Sequence, residues 1–263
     1  MNFITRCYDA CKSNIIIKVN PDLNHFRSYV ESIPQTFDSA GETIRCVRNH
    51  IKVFEVDGKR INVKKYTIPP YFFNRFIYVL FRDPKAKRHY DYALRLKALG
   101  FDSPTPIGYY LEKKGLLLSH CYLVTEQKDD ICHLSDLNCF DYTISTEGIL
   151  SEFGRYTASL HQNGILHNDY NLGNILFSVE DGEIKFALVD INRMSFHNVT
   201  FNIGCKNFHR LDLNPQQLKI VANAYAEAMN YNKEETYDKI TYYRNRKKMW
   251  GKCKRWYKSL LNR

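Results

Sequence analysis

The segment ILHNDYNLGNILFSVEDGEIKFALVDIN, residues 165–192, constrains the fold of this chain more than any other. Asp181-Gly182 is a dipeptide favoured in two-residue hairpin loops, where both positions need positive φ, and it separates two apolar runs, 175–179 and 184–189. A two-residue loop makes Glu180 face Glu183. Counting back along both strands, Asn174 falls opposite Val189, and Asp190 lies one step beyond. Directly opposed residues sit roughly 5 Å apart, so the Asn174 amide oxygen and the Asp190 carboxylate can reach a common ion. Magnesium takes hard oxygen ligands, few of them from protein and the rest from water and phosphates. Asp169 precedes Asn174 by five residues in a loop, where a carboxylate can accept a hydroxyl proton or orient an attacking oxygen. The plainer alternative is that Asp169 and Asn174 only cap loop backbone.

The residues His167, Asp169 and Asn174 match the H-x-D-x-x-x-x-N pattern of kinase catalytic loops, and Asp190 resembles the metal-binding Asp at the end of the next strand. His167 is expected to pack and hydrogen-bond, shaping the loop. A kinase also needs a lysine on a central strand for the nucleotide phosphates, held by an acid on the following helix. Residues 44–56 alternate as two short strands broken near Arg48, Asn49 and His50, and Asp57-Gly58 turns the chain into a third strand, 61–66. Lys64 is the candidate there, because period two points its neighbour Lys65 to the other face. Both lysines could instead face solvent. The following helix, about 84–99, has Asp83 as expected N-cap, Pro84 at its first position and Gly100 past its end. It contains no glutamate, so Asp91 is the acid candidate. Around residues 48–50 there is no G-x-G-x-x-G, which leaves phosphate contacts to backbone amides or basic side chains.

Apolar runs at 107–111 and 116–126 read as further strands. The chain then turns polar at Gln127, Lys128, Asp129 and Asp130, the expected hinge, and Glu126 at its edge joins the nucleotide-binding candidates. Ile149, Leu150, Phe153, Thr157, Leu160 and His161 keep helical period up to Gly164, and the chain from Asn207 onward is mostly helical in pattern. The expected fold class is α+β and bilobal: an N-lobe, 1–127, of antiparallel strands with one main helix, and a largely helical C-lobe, 128–263.

Charge and cysteine usage bear on partners. The formal charge is +10, and residues 237–263 carry ten Lys or Arg against Asp238 alone. Interleaved with Tyr242, Met249, Trp250 and Trp256, these bases suit an amphipathic helix resting on an anionic membrane surface. A solvated helix with its aromatic face on the core fits equally, and a nucleic-acid patch fits less well. Eight cysteines show no paired metal or redox spacing, and reduced structural thiols are expected. Cys7 and Cys11 are the one pair that could share a helix face. No apolar run, including 71–81, is long enough to span a bilayer, and no secretory signal opens the chain. The expected location is the cytoplasm.

The segments VKKYTIP, NRFIY, KAKRHYDYALRLKALGFDSPTPIGYY, HNDYNLGNILF and LVDINRMSF together resemble the lipopolysaccharide core kinases, over roughly residues 45–210. That resemblance implies a kinase-like fold, ATP and Mg2+ as cofactors, and as acceptor a Kdo or heptose hydroxyl of a glycolipid at the inner membrane. By position, Lys64 would bind phosphate, Asp91 would stand in for the helix acid, Asp169 would be the base, and Asn174 and Asp190 would hold magnesium. Three departures stand out: Asp91 replaces Glu, Ile191-Asn192 follow Asp190 in place of Phe-Gly, and no activation segment ending in Ala-Pro-Glu follows. The rivals are a kinase of another small molecule or protein, and a pseudokinase that binds without transfer.

Overall fold

A computed structural model describes residues 13–68, 82–115, 117–129, 131–137 and 144–261. The run 71–81 with NRFIY, the pair Cys7 and Cys11, and Asp130 of the polar turn lie outside these residues. The chain divides into two compact units, Met1–Asp129 and Asp130–Arg263.

The first unit is built on strand β1 (Ser13–Val19), helix α1 (Arg27–Thr36), strands β2 (Glu42–Cys46), β3 (His50–Val56) and β4 (Lys59–Lys65), helix α2 (Lys85–Ala98), and strands β5 (Pro106–Lys114) and β6 (Leu117–Glu126). The strands form one antiparallel sheet in the order β1-β5-β6-β4-β3-β2. Asp57 and Gly58 both have positive φ, 52° and 72°, as the β3–β4 hairpin requires. Alternation along the strands divides the apolar side chains between two clusters. Ile61, Val63, Tyr122 and Val124 pack with Val30, Ile33 and Phe37 of the α1 region. Leu123, Cys121, Tyr109 and Leu111 pack with Ala86 and Tyr90 of α2. Ile107 breaks parity with Tyr109 and joins the α1 side, because the β5–β6 register shifts between Pro106 and Gly108 and a bulge moves its strand on by one residue. Each of these large side chains contributes roughly 1.5–3 kcal/mol on burial.

Beside the expected α2, the unit therefore carries two further elements, helix α1 and the edge strand β1, that were not expected. Pro84, not Asp83, occupies the cap position of α2, and no side chain caps that end.

The second unit contains strand β7 (Cys132–His133), helix α3 (Thr146–Gln162), strands β8 (Ile165–His167), β9 (Ile175–Glu180), β10 (Glu183–Leu188) and β11 (Met194–Phe196), and helices α4 (Phe201–Asn207), α5 (Pro215–Ala228) and α6 (Lys233–Leu261). Ser145 caps α3 by accepting the Gly148 N–H, and Asn214 with Gln217 forms a reciprocal capping box on α5. Gly154 lets α3 and α5 approach closely: a Cβ there would lie 2.6 Å from Val221 O. The small sheets are β10-β9-β7 and β11-β8. The β9–β10 register runs from Glu180↔Glu183 to Ile175↔Leu188, as the Asp181-Gly182 loop implies. Cys46, Cys121, Cys205 and Cys253 are free thiols. Cys132 is disulfide-bonded, which corrects the expectation of reduced thiols at that position.

Candidate active site

Local hydrogen bonds fix the loop between β8 and β9. Asn171 accepts the Gly173 N–H on Oδ1 at 3.1 Å and donates from Nδ2 to the Asp169 carbonyl at 2.8 Å. Asn174 donates from Nδ2 to the same carbonyl at 2.9 Å. Two amides on one carbonyl leave the peptide after Asp169 little freedom. The Asn174 carbonyl accepts the Val189 N–H at 3.0 Å, which carries the hairpin register one pair further. Asn174 and Asp190 thus stand at neighbouring strand ends, where the count along the hairpin puts them.

Asp190 has φ 54° and ψ 36°, a left-handed conformation uncommon for a residue with a side chain. Asn192 donates from Nδ2 to its Oδ1 at 2.7 Å. With the Asn174 Nδ2 spent on the Asp169 carbonyl, its Oδ1 accepts no hydrogen bond among the described residues. An unengaged amide oxygen and a carboxylate carried on adjacent strand ends are hard oxygen donors of the kind that fits Mg2+.

His167 is buried, 1% exposed. It donates from Nε2 to Val189 O at 3.0 Å and accepts the Asp169 N–H on Nδ1 at 3.1 Å, which fixes one neutral tautomer. Burial lowers its pKa, with the Val189 carbonyl, Asp190 and Asp169 opposing. The ring therefore ties the loop to the end of β10, as expected of a shaping residue. Behind it, Asn207 donates to His167 O at 3.0 Å and accepts from His161 Nε2 at 3.1 Å, while His161 Nδ1 accepts from Tyr225 Oη at 2.9 Å. Burial pushes the His161 pKa from 6.5 to about 4.

The Asp169 carboxylate, 19% exposed, accepts from Arg210 Nη1 on Oδ1 at 2.6 Å and from Arg193 Nη1 on Oδ2 at 3.3 Å. Neither arginine was a sequence candidate. Arg193 stands three residues past Asp190, inside a segment carrying the resemblance, so proximity to that candidate metal ligand was the available signal. Arg210 comes from the turn between α4 and α5, 41 residues along the chain, and nothing local marks it.

In the first unit, Lys64 pairs across the sheet with Ile51 and Leu123. Its ammonium lies 5.2 Å from the centroid of the Tyr66 ring, and Tyr66 packs in the cluster with α2. Lys65 points to the other face, where both Asp38 carboxylate oxygens accept from it at 3.0 Å. The two lysines thus point to opposite faces of the strand, as period two requires. Asp91 is on the exposed side of α2 and pairs with Lys87 at 3.3 Å, and among the described residues it makes no ion pair with Lys64. Glu126 ends β6, pairs with Lys59 at 3.4 Å, and gives its backbone N–H to Thr105. At the β2–β3 turn, Asn49 Oδ1 accepts the Thr67 N–H at 3.3 Å.

The structure is similar to many solved structures, among them the following two. The WaaP protein, solved in complex with acyl carrier protein, has a TM-score of 0.60 at 13% identity, over 88% of this chain and 97% of that one. A microcompartment-associated aminopropanol kinase has a TM-score of 0.51 at 11% identity, over 82% of this chain and 86% of that one. At such identities the likeness establishes the kinase-like fold. Among curated proteins no sequence matches significantly. The sequence profile of the lipopolysaccharide kinase (Kdo/WaaP) family, however, matches residues 54–232, well over half of the chain. That span includes Lys64, Asp169, Asn174 and Asp190, and on it the chain belongs to the lipopolysaccharide kinase (Kdo/WaaP) family of phosphotransferases.

Proposed function

We propose that this chain transfers phosphate from ATP to a sugar hydroxyl of the lipopolysaccharide inner core, Kdo ahead of heptose. The observation that carries this is the arrangement of Asp169, Asn174 and Asp190 on one hairpin and its loop, inside the family match. Asn174 and Asp190 would hold Mg2+. Bound ATP and Mg2+ would supply an electrophilic phosphoryl group with its charge partly neutralised. Asp169 receives the acceptor's hydroxyl proton or aligns its oxygen, and Arg193 and Arg210 fix the carboxylate plane. Asn171 and Asn174 hold the backbone beneath it, so the loop is ordered before substrate arrives. In the first unit, Lys64 serves the phosphates and Glu126 the nucleotide at the strand end. Asp91, which also pairs with Lys87, is the acid that would support Lys64.

The enzyme works on a lipid-linked acceptor and so would dock peripherally on the cytoplasmic face of the inner membrane. No helix among the described residues is long and apolar enough to cross it. Tyr242, Met249, Trp250 and Trp256 are exposed on α6, which favours the membrane-resting alternative over an aromatic face turned to the core. Basic residues near an anionic surface contribute about 1 kcal/mol each. Replacing Trp250 and Trp256 by alanine should weaken flotation with phosphatidylglycerol vesicles severalfold while preserving the circular dichroism spectrum. Flotation equal to that of the unmodified chain would remove α6 from the docking surface.

The test of acceptor class is phosphate transfer from ATP and Mg2+ to a panel of Kdo-lipid A, heptosylated core, an aminoglycoside and a generic protein. Kdo-lipid A is expected to be phosphorylated fastest. Preference for the aminoglycoside or the protein would move the enzyme to the rival class of acceptors, and nucleotide binding with no transfer to any would make it a pseudokinase.

A further inference from the structure

Helix α6 has two different long sides. Arg244, Lys247, Lys248, Lys252 and Arg255 recur at three- and four-residue spacing and so share a stripe. With Arg210 from the turn 209–212 they line a groove of about 490 Å3 in the second unit. Tyr242, Met249 and Trp250 lie on a separate side, lining another hollow with Cys253. Asp212 is the one carboxylate among the described residues lining the basic groove. Lys247, Lys248, Lys252 and Arg255 make no ion pair among the described residues. Burial and the neighbouring Arg210 lower the Lys247 pKa. Like charges gathered along a concave wall repel one another and attract an anion strongly. The cavity also falls within the roughly 300–1,000 Å3 range of small-molecule sites.

Arg210 belongs both to this groove and to the site of transfer, since its guanidinium donates to Asp169 Oδ1 at 2.6 Å. A group bound there would stand one guanidinium away from the base. Taking the lipopolysaccharide glycan proposed above as acceptor, we infer that the groove is a subsite for an anionic substituent, phosphate or carboxylate, carried by that glycan. Arginine forks and lysine ammoniums are the partners such oxyanions require. Held at that point, the substituent fixes which hydroxyl reaches Asp169. A membrane headgroup offers the same chemistry, but the exposed aromatic side of α6 is the surface suited to lipid, whereas the groove shares Arg210 with the Asp169 carboxylate.

The test is calorimetric titration of inorganic phosphate into the full chain, with Mg2+ and a non-hydrolysable ATP analogue present to fill the nucleotide site. Saturable binding is expected, weakened at least tenfold in the Lys247→Gln, Lys248→Gln, Lys252→Gln triple variant, with analogue affinity unchanged. Lys248→Glu, at an exposed position, should weaken binding in the same direction and serves if the triple variant misfolds. Flotation with phosphatidylglycerol and phosphatidylcholine vesicles separates the two sources. A variant that loses vesicle binding but keeps phosphate affinity assigns the groove to headgroups and overturns the inference. Absence of saturable phosphate binding by the unmodified chain overturns it too. These readouts need no turnover, so they stand apart from failure of transfer to the acceptor panel.

Discussion

At Asn174 the amide nitrogen steadies the Asp169 carbonyl, and in the proposed site the oxygen of the same side chain would hold Mg2+. Asn174→Ala should raise the Mg2+ concentration for half-maximal turnover by at least about tenfold, the scale on which losing even a supporting group weakens metal sites. Asn174→Asp, which restores an oxygen, should recover part of that requirement. A Mg2+ titration showing the same midpoint for all three proteins would contradict the assignment. His161 makes a different kind of contribution. Its folded pKa, about 4, lies below the ordinary 6.5, so the unfolded chain binds the extra proton first as pH falls. The stability it confers is complete above about pH 6.5 and is lost between there and pH 4, on the order of 3 kcal/mol in all. Urea denaturation at pH 7 and pH 5 should show the loss, and His161→Gln should flatten it. An equal pH dependence in both proteins would mean that His161 is not its source.

Two hairpins with Asp-Gly loops, β3–β4 and β9–β10, were legible in the sequence because loop chemistry and strand register are local. The same holds for α3, where apolar period and Gly164 mark its course and its end. Strand β1 and helix α1 were not read, although the run Ile15-Ile16-Ile17 has strand character and Val30, Ile33 and Phe37 keep helical spacing. Pro34 lies inside α1 and reads as a stop, and β1 is defined by pairing with β5, some ninety residues later. Distance along the chain also hid the arginines around Asp169. They arrive from 24 and 41 residues away, and no spacing rule links them to it. The approach of α3 to α5 is equally non-local, and it gives an element-scale expectation. Gly154→Ala would set its Cβ 2.6 Å from Val221 O and 2.9 Å from Ala224 Cβ, forcing the helices apart at a cost of about 1–3 kcal/mol. Urea midpoints compared at constant slope measure this, and an unchanged midpoint would show that the interface yields freely.

Across the whole molecule, each unit supplies a separate part of the proposed reaction. The first is an antiparallel sheet with Lys64 on the side that carries α2, and the second gathers Asp169, Asn174 and Asp190 around one hairpin. The basic stripe of α6 lies along the second unit's groove, which it shares with Arg210, the partner of the Asp169 carboxylate. Family membership states that the chain is a phosphotransferase, and the proposed mechanism gives the central act to a single carboxylate, Asp169. The most direct measurement is the initial rate of phosphate transfer from ATP to the best acceptor of the panel, for the unmodified chain and for Asp169→Asn. The substitution should lower kcat by on the order of 10²–10⁴, the usual contribution of a positioned base, and leave ATP analogue affinity with Mg2+ unchanged. A kcat within twofold of the unmodified enzyme would place the chemistry elsewhere.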